Sequence, residues 1–141
     1  MAGLKRLAAA GLVLAVAAHA ADAPAPVPPA LMGTWRWVET VSSAETLRVD
    51  APERYELSFP EPGRIALRAD CNRAAGGVTF GQAGAIKVGV MAMTRAMCPE
   101  GSLSDRFAQD VGRAVHWSVQ DGALKLDLPA DAGTLRFVKA Q

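Results

Sequence analysis

The sequence predicts an α+β domain, in which a curled antiparallel β-sheet packs on one α-helix. Three observations carry that expectation. Short segments of alternating apolar residues recur with turn chemistry between them, one segment changes to a helical period, and alternation then resumes to the end. Short strands of this kind bury only one face and need a packed partner to be stable in water.

The elements follow in order. In "GTWRWVETV", Trp35, Trp37 and Glu39 fall on one face and Thr34, Arg36 and Val38 on the other, which predicts a first strand. "ERYELSFP" places Tyr55, Leu57 and Phe59 on one face. "EPG" then turns the chain into "RIALRAD", with Ile65, Leu67 and Ala69 inward and Arg64 and Arg68 outward. "GGVTF" and "GAIKVGV" are shorter strand candidates. Leu103, Phe107, Val111 and Val115 are spaced by four in "GSLSDRFAQDVGRAV", with Ala108 and Ala114 alongside, as in one stripe of an amphipathic helix. Ser102 and Asp105 resemble a capping box at its start, and Gly112 costs the helix about 1 kcal/mol relative to alanine. Trp117 and Val119 then face inward. Asp121-Gly122 is a hairpin signal, and Leu124, Leu126 and Leu128 lead through "ADAG" to a last strand, "TLRFVK". Five or so strands, one helix and three strands are expected, with no internal repeat.

Residues 1–20 stand outside this pattern. Lys5 and Arg6 precede an uncharged apolar run, Leu7 to Ala17, and Ala18-His19-Ala20 is a small-x-small cleavage site. This is the layout of a secretory signal peptide, and the apolar run is short for a bilayer span. The first cysteine is Cys71, so the new N-terminus offers no thiol for a lipid anchor. Residues 21–30 read as an Ala/Pro-rich linker and 31–141 as one domain. Removing residues 1–20 takes the basic count from 15 to 13 against 14 acidic residues, a near-neutral chain with no basic block for nucleic acid.

The two cysteines raise the sharper chemical question. Exported chains meet oxidising conditions, and both residues sit at the ends of elements, so Cys71 and Cys98 are read as a disulfide. Their separation of 27 residues is worth roughly 3–4 kcal/mol in the loop-entropy treatment. Two alternatives stay open. Cys98 precedes a helix N-terminus, which lowers a thiol pKa, but a thiol enzyme also needs a base, and the mature chain offers only His116, read as pointing away from the core. Met91, Met93, Met97 and Cys98 together form a soft donor set of the kind that suits Cu(I), although methionines also fill irregular gaps in small cores. The sequence has no GxSxG, HExxH, phosphate-cradling loop or zinc-type Cys/His cluster. Glu53, Glu56 and Glu61 read as solvated surface residues. Asp70, Arg73 and Arg95 are expected to form ion pairs around the staple.

Taken together, Cys71, Asn72, Gly76, Gly77, Thr94, Arg95, Cys98 and Pro99, with Gly33, Trp35 and Val38 in the opening strand, resemble the META domain, the HslJ-like heat-shock family. The resemblance covers residues 31–139. It implies a small antiparallel sheet curled around one helix, exported in bacteria as a lipoprotein or periplasmic protein and linked to heat-shock response, drug resistance and, in some members, motility or secretion. It carries no catalytic residues. Without an N-terminal cysteine, a soluble periplasmic state is the expectation for this chain.

The functional expectation is therefore a non-enzymatic exported envelope protein with a stress-related or binding role. It needs no cofactor or metal, does not span the membrane, is a monomer, and has an envelope protein or small ligand as its partner. An exported hydrolase or thiol enzyme is the alternative, and a periplasmic Cu(I)-binding protein is a third reading. The candidate binding rim is Asn72, Arg73, Thr94 and Arg95, polar residues on loops held at low entropic cost by the staple. Asn72 is also suited to capping the turn after Cys71.

Overall fold

The computed structural model describes residues 2–16 and 23–141. The predicted cleavage site lies outside the described residues. Among those described, nine strands form one antiparallel sheet: β1 (Thr34–Val41), β2 (Thr46–Arg48), β3 (Tyr55–Ser58), β4 (Arg64–Ala69), β5 (Asn72–Phe80), β6 (Ile86–Met93), β7 (His116–Gln120), β8 (Ala123–Asp127) and β9 (Thr134–Lys139). The one α-helix among the described residues, α1 (Ser104–Gly112), lies between β6 and β7 in sequence. The spatial order is β6-β5-β4-β3-β1-β9-β8-β7, with β2 paired to β1. The outer strands β6 and β7 approach each other at one bridge, Ala85 to His116, where the Ile86 N–H donates to the Val115 carbonyl at 3.2 Å. The sheet thus curls almost into a barrel, with α1 covering its inner face.

The core explains why the helix docks there. Phe107 stacks on Trp37 with centroids 5.1 Å apart, and Tyr55 meets both rings edge-on. Phe137 closes the cluster from β9. The Tyr55 hydroxyl also accepts the Leu103 N–H at 2.9 Å, so one residue both fills the core and satisfies a donor at the helix start. Helices leave such donors unpaired, and of the expected capping box only the serine meets one of them. The Ser102 hydroxyl lies one position too early and accepts from Ser104 N–H, while the Asp105 carboxylate points to solvent beside Arg95.

Four further expectations are corrected by packing. First, β1 bulges between Trp37 and Glu39, so the inward register passes to Thr40, which is buried and accepts a hydrogen bond from Trp37 Nε1 at 3.1 Å. Glu39 therefore does not share the inner face with the tryptophans. Second, Val115 lies beyond the end of α1 and is exposed, and its backbone instead ties β6 and β8 together. Third, there are six strands before the helix, and the two short candidates are longer than expected. Gly76 permits this on β5, because a side chain there would meet the Val90 carbonyl at 2.8 Å. Fourth, the linker is partly docked: Val27 packs against the core, and Pro29–Leu31 forms a 3-10 turn that buries Leu31. The Asp121-Gly122 turn follows expectation, both residues having positive φ as a two-residue hairpin of this kind requires.

Asp110 is buried on α1, accepting from Arg106 at 2.9 Å with Arg113 at 3.6 Å. The hydrogen bond to Asp110 holds the Arg106 pKa above its ordinary value, opposed by partial burial. Asp110→Asn removes the charge-assisted bond and should cost about 1–2 kcal/mol in urea unfolding. A change below about 0.3 kcal/mol would mean that the pair contributes nothing.

Candidate functional site

The site is built on the β4–β5 hairpin. Ala69 pairs with Asn72, which leaves Asp70-Cys71 as a two-residue turn. Asp70 takes the left-handed conformation at φ 60°, which Asp tolerates better than most residues. Its buried carboxylate pairs with Arg54. Cys71 is bonded to Cys98, with Cα atoms 5.4 Å apart, so the hairpin tip is tied to the loop between β6 and α1.

Asn72 is the second tie. Its amide nitrogen donates to the Ala96 carbonyl at 3.0 Å and to Ser104 Oγ at 3.2 Å, with Cys98 Sγ at 3.4 Å. Its Oδ1 accepts from Thr94 Oγ1 at 2.9 Å and from Ala96 N–H at 2.8 Å. Thr94 Oγ1 in turn accepts the Arg73 N–H at 3.0 Å. A buried amide with both ends satisfied is a structural hub. It bridges turn, loop and helix start rather than capping its own turn.

The four rim candidates therefore separate. Asn72 is buried inside the junction, and the Thr94 hydroxyl is spent on it. Arg95 is exposed and lies 3.5 Å from Asp105. Arg73 points outward and has no ion-pair partner among the described residues. Of the residues expected to form ion pairs around the staple, Asp70 pairs with Arg54 and Arg95 with Asp105, while Arg73 pairs with none among the described residues.

Strand register adds a residue that sequence reading noted only as outward-facing. Arg68 on β4 lies directly opposite Arg73 on β5 and likewise has no ion-pair partner among the described residues. Glu56, opposite Arg68 on its other side, is held by Arg36 at 3.1 Å. One step along the strands, Ser58, Ala66, Ala75 and Ala92 are successive cross-strand neighbours. Together these rows line an open cavity of about 560 Å³ on the outer face of the sheet, bordered by Thr34 and Thr94. The signal was present in "RADCNR": once the turn is placed at residues 70 and 71, positions 68 and 73 must pair.

The residues of the rival chemistries are placed as follows. Among the described residues there is no free cysteine, so in this state Cys98 has no thiolate to offer a substrate or copper. Met91 and Met93 pack against the core, whereas Met97 is fully exposed. His116 is half-exposed rather than isolated. Its Nδ1 lies 3.1 Å from Asp127 Oδ2 on β8 and its Nε2 3.0 Å from the Ala83 carbonyl in the turn before β6, so both ring nitrogens are engaged. Thr134 donates to the other Asp127 oxygen at 2.6 Å. Among the described residues no group of three His, Cys, Asp or Glu side chains could hold a metal ion, and no helix is long and apolar enough to cross a membrane.

Fold and site together define a small one-helix α+β domain whose sheet is stapled to the helix-entry loop by a disulfide. The chain belongs to the META domain family, whose model matches residues 30–141. It is similar in fold to a protein from Burkholderia xenovorans solved by NMR, at 18% identity and a TM-score of 0.65 over 86% of this chain and 94% of that one. It is also similar to a DUF4847-family protein from Bacteroides vulgatus, at 12% identity and a TM-score of 0.59 over 79% and 95%. No curated protein matches significantly.

Proposed function

We propose that this chain is an exported, non-enzymatic domain of the bacterial envelope that binds through the outer face of the β4–β5 hairpin, in a stress-related role. The observation that carries the reading is the contrast at the hairpin. Cys71 and Asn72 fix its end to the loop before α1, while Arg68 and Arg73 on the outer side are left without ion partners among the described residues. A rigid support beneath unpaired charges suits recognition, because little entropy is lost on binding. Export is supported by the disulfide, which persists in oxidising compartments. It is also supported by residues 2–16, where Leu7, Leu12 and Val16 are almost fully exposed and add nothing to the core.

Two measurements test the reading. Expressed in full in a bacterial host, the protein should leave the cells by osmotic shock with a mass beginning at Ala21, lacking residues 1–20 and carrying no lipid. Retention in the cytoplasm with an intact N-terminus would overturn export. Immobilised mature protein should capture a component of envelope extract that the Arg68→Gln/Arg73→Gln variant does not. Equal capture by both would remove the hairpin face from the binding surface.

A further inference from the structure

We infer that the outer-face cavity binds a small amphiphile with a single carboxylate, its head held by Arg68 and Arg73 and its apolar body lying over Ala66, Ala75 and Ala92. This rests on the proposed binding face and names the chemistry that the face would accept.

The charge pattern comes first. Two arginines directly opposite on paired strands repel each other, and like-charged cross-strand pairs cost stability. Arg36 already occupies Glu56, which leaves two positive charges in the row Arg36, Glu56, Arg68, Arg73. An anion between Arg68 and Arg73 relieves the repulsion. Guanidinium groups match the planar, two-oxygen geometry of a carboxylate.

The floor selects the rest of the ligand. Exposed faces of antiparallel sheets normally carry polar residues. Here the row beside the arginines is Ser58, Ala66, Ala75 and Ala92, short side chains that leave room beneath the arginine wall. A volume of about 560 Å³ lies within the ordinary range for small-molecule sites. The cavity lies over the face of paired strands, whose backbone groups are engaged with one another, so an added peptide strand has no ladder to join. It has no aromatic platform for bases, and two charges make a poor track for a polyanion.

The test is calorimetric titration of the mature protein at low salt with decanoate below its micelle concentration. Acetate, decyl phosphate and decyltrimethylammonium serve as comparison probes. Decanoate should bind at least tenfold tighter than acetate and no more weakly than decyl phosphate, and decyltrimethylammonium should not bind. Arg68→Gln and Arg73→Gln should each weaken decanoate at least tenfold. Ala75→Leu should do the same by filling the floor, with unfolding midpoints no lower than wild type for the arginine variants. If an arginine variant fails to fold, wild-type binding that survives 0.5 M salt unchanged overturns the arginine clamp equally well. Acetate binding as tightly as decanoate overturns the apolar floor, and decyl phosphate binding more tightly overturns the carboxylate head. No decanoate binding by the wild type overturns this inference, whereas equal envelope capture by the wild type and the double arginine variant overturns the binding face itself.

Discussion

Loss of the Cys71–Cys98 bond should lower the unfolding free energy by roughly 3–4 kcal/mol. This is read as a fall of roughly 10–20 °C in Tm for a domain of this size. The expected variant is Cys71→Ser with Cys98→Ser, which avoids stray thiols. The effect falls mainly on the unfolded chain. The bond closes a loop of 27 residues, and opening it returns the corresponding conformational freedom to the denatured ensemble. The native side loses less, because Asn72 still joins the hairpin to Ala96 and Ser104. The variant should therefore keep the wild-type far-ultraviolet spectrum at low temperature and unfold at a lower urea midpoint. A larger slope in denaturant should accompany it, since the unlinked chain exposes more surface. Domains of this kind hold only about 5–15 kcal/mol in all. A shift below about 1 kcal/mol would mean that the bond is decoration on a fold already fixed by its core.

The parts legible in the sequence were those where burial is one-sided over several residues. Tyr55, Leu57 and Phe59, and then Ile65, Leu67 and Ala69, alternate because one face of the sheet meets α1, and all six are buried. Phe107 and Val111 recur by four for the same reason. The period broke down where a tertiary contact overrode it. The bulge after Trp37 exchanges Glu39 for Thr40, and the buried indole N–H then donates to both the Glu39 carbonyl and Thr40 Oγ1, an arrangement no local alternation encodes. The strand carrying Ala74, Ala75, Gly76 and Gly77 lacked β-branched residues in its first half. Its length is set by pairing on both sides rather than by propensity. At the site, Cys71 and Arg73 could be named from their spacing and type, whereas the inward turn of Asn72 and the pairing of Arg68 with Arg73 required the register of a turn whose exact position had not been fixed.

Asn72→Ala should cost at least about 3 kcal/mol, comparable with losing the disulfide, although Asn72 has no covalent partner. Truncation leaves Ala96 N–H, the Ala96 carbonyl, Ser104 Oγ and Thr94 Oγ1 without the partner that gathered them. Each buried group left unpaired costs about 1–3 kcal/mol, and those near the surface recover part of that from water. Asn72→Asp separates this account from simple loss of volume. It keeps the shape and the acceptor for Ala96 N–H, but it sets a carboxylate oxygen against the Ala96 carbonyl where an N–H had donated, at a site with only 4% exposure. It should therefore be at least as damaging as alanine at neutral pH. If Asn72→Asp were instead as stable as wild type, the hydrogen-bonded hub would not be what holds the loop. Combining Asn72→Ala with the cysteine pair variant completes the argument. The amide and Cys98 Sγ are 3.4 Å apart and anchor the same loop, so their effects should depart from additivity by about 1 kcal/mol. Strict additivity would assign the staple wholly to the unfolded chain and leave Asn72 alone to position the loop on which the hairpin face depends.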